Sequence, residues 1–439
     1  MKTLTFRGGI HPQYHKEISL KEPLKEAPLA KLFIVPLSQH IGAPSTQIVN
    51  KGDYVEEGQV LGKSTAFISS IVHSPVFGKV VDIKKAPHPA LGPREAVFIE
   101  RDDAKPAKKY EKRNEVEQFS PRELIEKIKN AGIVGMGGAA FPTHVKCSVP
   151  EGKRIETLIV NGAECEPYLT CDHLLMTKKT REILKGIEII SKILNPNEIF
   201  ITIENNKKDA FFAFQKELKN FTTKTVNKVK LILLKTKYPQ GGEKQLIKAS
   251  TGKEVPPGGL PLDIGFLVQN VGTIYAVYEA VYLDKPLIER IVTLSGDCLK
   301  KTGNYMIRIG TTLRDVMENC GIGFCNEPKK IIFGGPMMGF AQTQMESPIL
   351  KNTSGVLFFS GKQTEELVEG QCIKCAKCVD VCPVNLVPTD IMKNVKKGRY
   401  DALAGLHIKD CMECGSCSYI CPARIPLIHY IKEGKTGSL

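Results

Sequence analysis

No window of this sequence approaches the roughly 18 uninterrupted apolar residues that a membrane-spanning helix needs. The opening residues, MKTLTFRGGIHPQYHK, also lack the apolar core of a secretory signal. Both absences point to a soluble, cytoplasmic chain. Compositional bias is missing too: hydrophobic residues make up 42% and charged residues 25%, ordinary values that exclude a disordered or fibrous chain. Length excludes a single core, because 439 residues normally divide into about three or four domains.

The net charge of +14 admits nucleic acid, a membrane surface or an acidic protein as partner. The basic run KPAKKYEKR at 105–113 carries no interleaved aromatic series for stacking on bases, so it reads as a solvated linker, and no nucleic-acid partner is expected. Of the 14 cysteines, eight are grouped at metal-ligand spacing. The other six, at 147, 165, 171, 298, 320 and 325, share no spacing and are expected in cores. Disulfides in a secreted protein fit this distribution less well than ligands in a reducing compartment.

Short β-type runs punctuated by turns fill residues 36–100. The phrases KGDYVEEGQVLG and HSPVFGKVVDI resemble the biotinyl/lipoyl barrel-sandwich family. Its attachment lysine is missing: Ala66 to Val72 contains none, which implies a scaffold in place of a swinging arm. From Ser120 the pattern alternates. SPRELIEKIKNAG reads as a capped amphipathic helix, ETLIVNG as a buried strand, and CDHLLMTKKTREILKGIEIISKIL as one long helix. EIFITIE, KKDAFFAFQKELKNF and KVKLILLK continue the rhythm of a mostly parallel, helix-covered sheet. Residues 288–345 return to β-type segments around one helix and resemble the soluble-ligand-binding β-grasp module. After Lys362 the chain becomes helical and cysteine-dense.

The strongest motif is Cys372-x-x-Cys375-x-x-Cys378-x-x-x-Cys382-Pro383, repeated as Cys411-x-x-Cys414-x-x-Cys417-x-x-x-Cys421-Pro422. Three thiolates on a tight loop fit three corners of a cubane, and the fourth reaches the cluster of the other loop. Cys372, Cys375, Cys378 and Cys421 are thus expected to hold one 4Fe-4S cluster, and Cys411, Cys414, Cys417 and Cys382 the other. Structural zinc takes two Cys-x-x-Cys pairs per site and has no use for the third and fourth cysteines. This part resembles the bacterial two-cluster ferredoxins.

A loop of small residues, Gly135-Met136-Gly137-Gly138-Ala139-Ala140-Phe141-Pro142-Thr143, allows backbone amides to approach a phosphate or a flat ring. A helix precedes it, so it is not an ordinary dinucleotide fingerprint. Asn161 to Pro167 and Tyr238 to Lys244 follow other apolar strands, and all three polar loops are expected to converge at the sheet edge. Ordinary turn and capping chemistry is the alternative for each loop alone.

GMGGAAFPT is similar to the glycine loop of the NADH-oxidising flavoprotein subunit of respiratory complex I, and NGAECEP to that family's acidic strand end. With FRGGIHP, NGAECEPYLT and YPQGGEKQLI, the whole chain resembles the C subunits of the Rnf electron-transport complexes. The resemblance implies that Gly135, Gly137, Gly138, Lys146, Asn161, Glu164, Tyr238, Gly241 and Asn270 surround FMN, and that Phe141, Glu166 and Glu243 face the nicotinamide nucleotide. It departs at Met136, at Ala163 and at Gly258-Gly259-Leu260-Pro261, where the complex I family has an arginine, an aspartate and an adenine-stacking aromatic.

The expected architecture is multidomain α/β: an N-terminal extension at 1–35, a barrel-sandwich hybrid at 36–112, a Rossmann-like FMN/NADH-binding domain at 113–286, a β-grasp (SLBB) module at 287–350, and a helical two-cluster ferredoxin-type domain at 351–439. The implied cofactors are two [4Fe-4S] clusters, FMN and NAD(H). A flavin is needed because a nicotinamide gives two electrons as hydride while a cluster accepts one. No side-chain acid or base is expected in that step. The implied setting is peripheral, on the cytoplasmic face of the inner membrane. The implied partners are integral membrane subunits of the Rnf complex, a ferredoxin-type carrier or iron-sulfur protein, and NADH. A soluble flavin reductase such as the cobalamin reductase of propanediol utilisation, and a wiring subunit with a vestigial flavin site, are the alternatives.

Overall fold

The structure is a computed structural model that describes residues 3–221, 225–361, 364 and 368–437. The turn to helix and cysteine expected at Lys362 begins outside the described residues. Apolar strands pair into four sheets among the described residues. Two are small and antiparallel: Leu32–Pro36, Arg94–Arg101, Gly78–Ala86 and Tyr54–Val55 in one, and Thr46–Gln47, Val60–Lys63 and Val72–His73 in the other. They enclose Phe33, Val35, Val55, Leu61, Val72, Val80, Val97 and Ile99. A module boundary at residue 36 therefore cuts off its first strand. That strand shows no alternation because Phe33 and Val35 enter this core while Ile34 packs on Ala86 and Ala96 from the other side.

The central sheet is all parallel, in the order Val229–Leu234, Glu198–Glu204, Thr157–Gly162 and Phe266–Asn270. Apolar clusters lie on both its faces, so its strands read as continuous hydrophobic runs. Ser120 caps the helix Pro121–Asn130 through a capping box with Glu123. The long helix expected from Cys171 is instead two, Cys171–Lys178 and Thr180–Leu194. Lys179 leaves helical geometry at φ −127° and ψ 32°, and the Thr180 hydroxyl donates to the Met176 carbonyl at 2.6 Å.

The third module is a six-stranded mixed sheet with the helix Leu313–Asn319, capped by Thr312. Its strands Glu289–Ser295 and Lys330–Phe333 flank Gly355–Phe359. A boundary at 350 therefore assigns an interior strand to the helical domain. GVLFF is buried throughout and carries no periodicity of its own. Lys25–Glu26, from the opening segment, adds an edge strand to the same sheet.

The last module packs the helices Lys377–Asp380, Pro388–Lys396, Ser416–Ile420 and Leu427–Gly437 around Ile391, Leu403, Ile408, Leu427 and the cysteines. Left-handed backbone recurs at equivalent places in the two motifs, at Lys374, Ala376 and Asn385 and again at Glu413, Gly415 and Arg424. The opening segment runs as a strap over the others. Leu4 bridges to Leu234, Ile10 pairs with Tyr238, and Gly9 N–H donates to Val381 O at 2.8 Å. Lys351, fully buried, donates to Ile71 O and Gly132 O at 2.7 Å each, joining three modules. The basic run is partly docked: Lys108 N–H donates to Glu57 and the Tyr110 hydroxyl is buried. No helix among the described residues is long and apolar enough to cross a membrane.

Candidate functional site

None of the 14 cysteines is joined in a disulfide. Cys372, Cys375, Cys378 and Cys421 line one cavity of about 320 Å³, together with Ile373 and Leu427. Cys382 lies instead with Cys411, Cys414 and Cys417, close enough to help raise the pKa of each of those three. Burial, reinforced by those neighbours, pushes Cys411 up to about 11 and Cys417 up to about 12. Four thiolates crowded in a dry pocket require a cationic core, and backbone N–H groups already point at sulfur: Leu386 at Cys382 (3.2 Å) and Glu413 at Cys411 (3.4 Å). The donor sets therefore fit the two clusters.

Asn161 and Asn270 end two adjacent parallel strands, which places them at the sheet edge where ligands bind in open α/β folds. Asn270 caps the helix Val271–Tyr282 by accepting from Gly272 N–H and donates to Asp172 at 2.7 Å. The glycine loop lies on this pair. It closes through Gly135 N–H to Phe141 O at 2.9 Å, and Met136 N–H donates to Thr273. A Cβ at Gly137 would meet the Asn270 amide at 2.6 Å, whereas one at Gly138 would meet nothing within 4 Å. Such a bare, exposed stretch can receive a flat ring or a phosphate, and in that respect the residues fit a flavin.

The other two loops join here. Asn161 donates to Gly241 O at 2.9 Å and accepts from Ala163 N–H. Glu164, its side chain 4% exposed, caps the helix Cys171–Lys178 by accepting from Asp172 N–H and His173 N–H at 2.7 and 3.3 Å. Burial raises its pKa and the nearby Lys16 opposes that rise. Lys146 and Glu243, expected at different ligands, pair with each other at 2.5 Å. Phe141 is half-buried at the end of the glycine loop.

Two residues sit differently from expectation. The Glu166 carboxylate accepts from Met337 N–H and Met338 N–H at 3.0 Å each, so the β-grasp module covers it and it does not face an open nucleotide cleft. Its burial outweighs those bonds and pushes its pKa up to about 7. Tyr238 is buried and donates to Cys414 O at 2.8 Å, tying the sheet edge to a cluster loop. Cys165, expected as an inert core residue, packs with Tyr238 and Cys414 and accepts from Gly241 N–H at 3.3 Å; Cys325 is exposed.

Several residues of the site carry no motif signal. Arg290, from the β-grasp sheet, donates to Lys351 O at 2.7 Å and reaches Met136 O at 3.4 Å beneath the glycine loop. Lys207 donates to Ala163 O at 2.6 Å and pairs with buried Glu204 at 2.8 Å. Lys16 belongs to the opening segment, close behind FRGGIHP, whose distinctiveness is its only signal.

Comparison with known proteins follows the same division. Residues 4–104 match the RnfC barrel sandwich hybrid domain, 128–279 the Nuo51 FMN-binding domain, 291–341 the SLBB domain and 371–425 the 4Fe-4S dicluster domain. The chain is 44% identical to the C subunit of the proton-translocating ferredoxin:NAD(+) oxidoreductase complex of Clostridium ljungdahlii, covering 98% of this chain and 93% of that protein. It is 42% identical to the Na(+)-translocating counterpart of Acetobacterium woodii, over 98% and 96%. With the C subunit of the ion-translocating oxidoreductase complex of Haemophilus influenzae (strain 86-028NP) it shares 40% over 99% of this chain but only 65% of that protein. In fold it resembles an NAD+-reducing [NiFe]-hydrogenase in the air-oxidized state, with a TM-score of 0.50 and 19% identity over 65% of this chain and 54% of that one.

Proposed function

Because this chain belongs to the family of C subunits of ion-translocating ferredoxin:NAD(+) oxidoreductase complexes, we propose that it passes electrons between NAD(H), FMN and two four-iron clusters as a peripheral member of such a complex. The observation that carries this reading is the junction of the loop at 238–245 with both cysteine motifs. Tyr238 bonds Cys414 O at 2.8 Å, and Gln245 donates to Pro383 O at 3.3 Å.

When bound, FMN supplies the exchange between two-electron hydride chemistry and the one-electron chemistry of the clusters. The protein binds and orients. The bare backbone of Gly135, Gly137 and Gly138 admits the ring, while Lys146, Asn161, Glu164, Gly241 and Asn270 frame it. Phe141 and Glu243 serve the nucleotide. Buried Tyr238, with half-buried Cys165 and Met337 packed against it, excludes water between this site and the cluster of Cys382, Cys411, Cys414 and Cys417. The second cluster, on Cys372, Cys375, Cys378 and Cys421, lies beside exposed Cys375 and Ile373, open to an electron-carrying partner. The partners are integral membrane subunits and a ferredoxin-type carrier or iron-sulfur protein, and the setting is the cytoplasmic face of the inner membrane.

The test is anaerobic purification followed by iron and flavin analysis and spectra before and after NADH. About eight irons, FMN and NADH-dependent bleaching are expected; zinc in place of iron overturns the reading. The covered Glu166 carboxylate favours a second reading, a relay subunit that binds no nucleotide. Eight irons and FMN without NADH bleaching would support it.

A further inference from the structure

We propose that Lys16 is a positioning residue for the flavin-binding loop: its ammonium, shared among three carbonyl oxygens of residues 164–169, holds that loop in the shape that binds the flavin. The inference rests on the functional reading above. Lys16 is 6% exposed and comes from a segment distant in sequence from every loop of the site. Its Nζ donates to Glu164 O at 2.8 Å, Glu166 O at 2.9 Å and Leu169 O at 2.5 Å, using all three of its N–H groups. The Glu164 carboxylate stands farther off, at 3.8 Å.

The loop needs such a hold. Glu164 and Tyr168 adopt left-handed backbone, at φ 46° and 67°, which costs free energy unless neighbours fix it. Tyr168 N–H donates to Tyr14 O at 2.7 Å, and the Tyr168 ring stacks on His15 at 4.8 Å, so the strap grips both ends. With the carbonyls drawn inward to Lys16, and Ala163 O to Lys207, the N–H groups of Glu164, Cys165 and Glu166 meet no acceptor among the described residues. Consecutive free N–H groups beside a left-handed residue make a concavity for an electron-rich oxygen. A buried ammonium behind them adds positive potential on the same side.

The test uses the anaerobically purified holoprotein with FMN as probe, removed and rebound while its fluorescence is followed. Lys16→Met is expected to raise the Kd for FMN about tenfold or more, the usual scale for losing a supporting residue, with iron content unchanged. Lys16→Arg keeps charge and donors and is expected to bind within a few-fold of wild type. The pH profile separates positioning from mere packing. Burial and Lys207 lower the Lys16 pKa, while Glu164, Glu204 and Cys165 raise it. Wild-type affinity should therefore fall on the alkaline side, where Lys16 loses its proton, and Lys16→Arg should stay flat. Unchanged FMN affinity in Lys16→Met overturns the proposal. If that variant does not fold, coincident alkaline profiles of wild type and Lys16→Arg overturn it. A wild type that retains its irons but binds no FMN overturns the functional reading itself, and this inference with it.

Discussion

Tyr238 donates its phenolic O–H to the carbonyl oxygen of Cys414 across 2.8 Å, with Cys165, Met337 and Ile10 packed around the pair. One residue thus belongs at once to the edge of the parallel sheet and to the wall of a cluster pocket. Tyr238→Phe keeps the ring and removes the donor, leaving a buried carbonyl unsatisfied at a cost of about 1–3 kcal/mol. Iron and FMN should be retained. Stopped-flow mixing with NADH should show flavin reduction at the wild-type rate and slower cluster reduction. Equal rates of both would mean that the contact only packs.

The two cysteine sets predict a crossed pattern of damage. Cys382 follows the first motif in sequence yet lies with Cys411, Cys414 and Cys417. Cys421 follows the second yet lines the cavity of Cys372, Cys375 and Cys378. Cys421→Ser should therefore spare the cluster beside Tyr238, which NADH still reduces, and lose or convert the outer one. Cys382→Ser should damage the inner cluster and stop NADH from reducing either. Iron analysis with low-temperature EPR reads this pattern, and the reverse assignment would appear as the opposite result.

The two-cluster domain was legible because iron-sulfur ligation is written into local spacing. So was the capping of Pro121–Asn130, where Ser120 and Glu123 stand three residues apart. Neither the strand Gly355–Phe359 nor Lys16 could be read this way. The strand is buried on both faces, which erases alternation, and its neighbours come from residues 289–295 and 330–333. Lys16 is a lysine in a polar segment, ordinary until the fold sets it against carbonyls about 150 residues away. Glu166 is hidden for a related reason: its acidic motif is local, but the loop that covers it belongs to another module.

Glu166 gives a prediction in pH. Burial raises its pKa from 4.5 to about 7. The folded protein therefore holds this proton more tightly than the unfolded chain does. The stability it contributes is fully present below pH 4.5 and is lost as pH rises through about 7. Glu166→Gln cannot titrate, so its thermal midpoint relative to wild type should improve steadily from pH 4.5 to about 8. A constant difference across that range would show that the carboxylate is ionised throughout.

Two adjacent glycines separate folding from binding. At Gly137 an added Cβ would lie 2.6 Å from the Asn270 amide, which would have to move. Asn270 caps the helix Val271–Tyr282 and bonds Asp172, so Gly137→Ala should cost about 1–2 kcal/mol, the scale of a lost cap, and lower the thermal midpoint. At Gly138 an added Cβ meets nothing within 4 Å, and its φ is not in the left-handed region, so the fold has no objection to Gly138→Ala. Only a ligand lying on that backbone would object. Gly138→Ala should thus melt like wild type and bind FMN about tenfold more weakly, since one methyl group between ring and backbone forfeits much of the contact. If Gly138→Ala binds FMN normally, the flavin lies elsewhere on the sheet edge, and the loop at 163–167 becomes its main support.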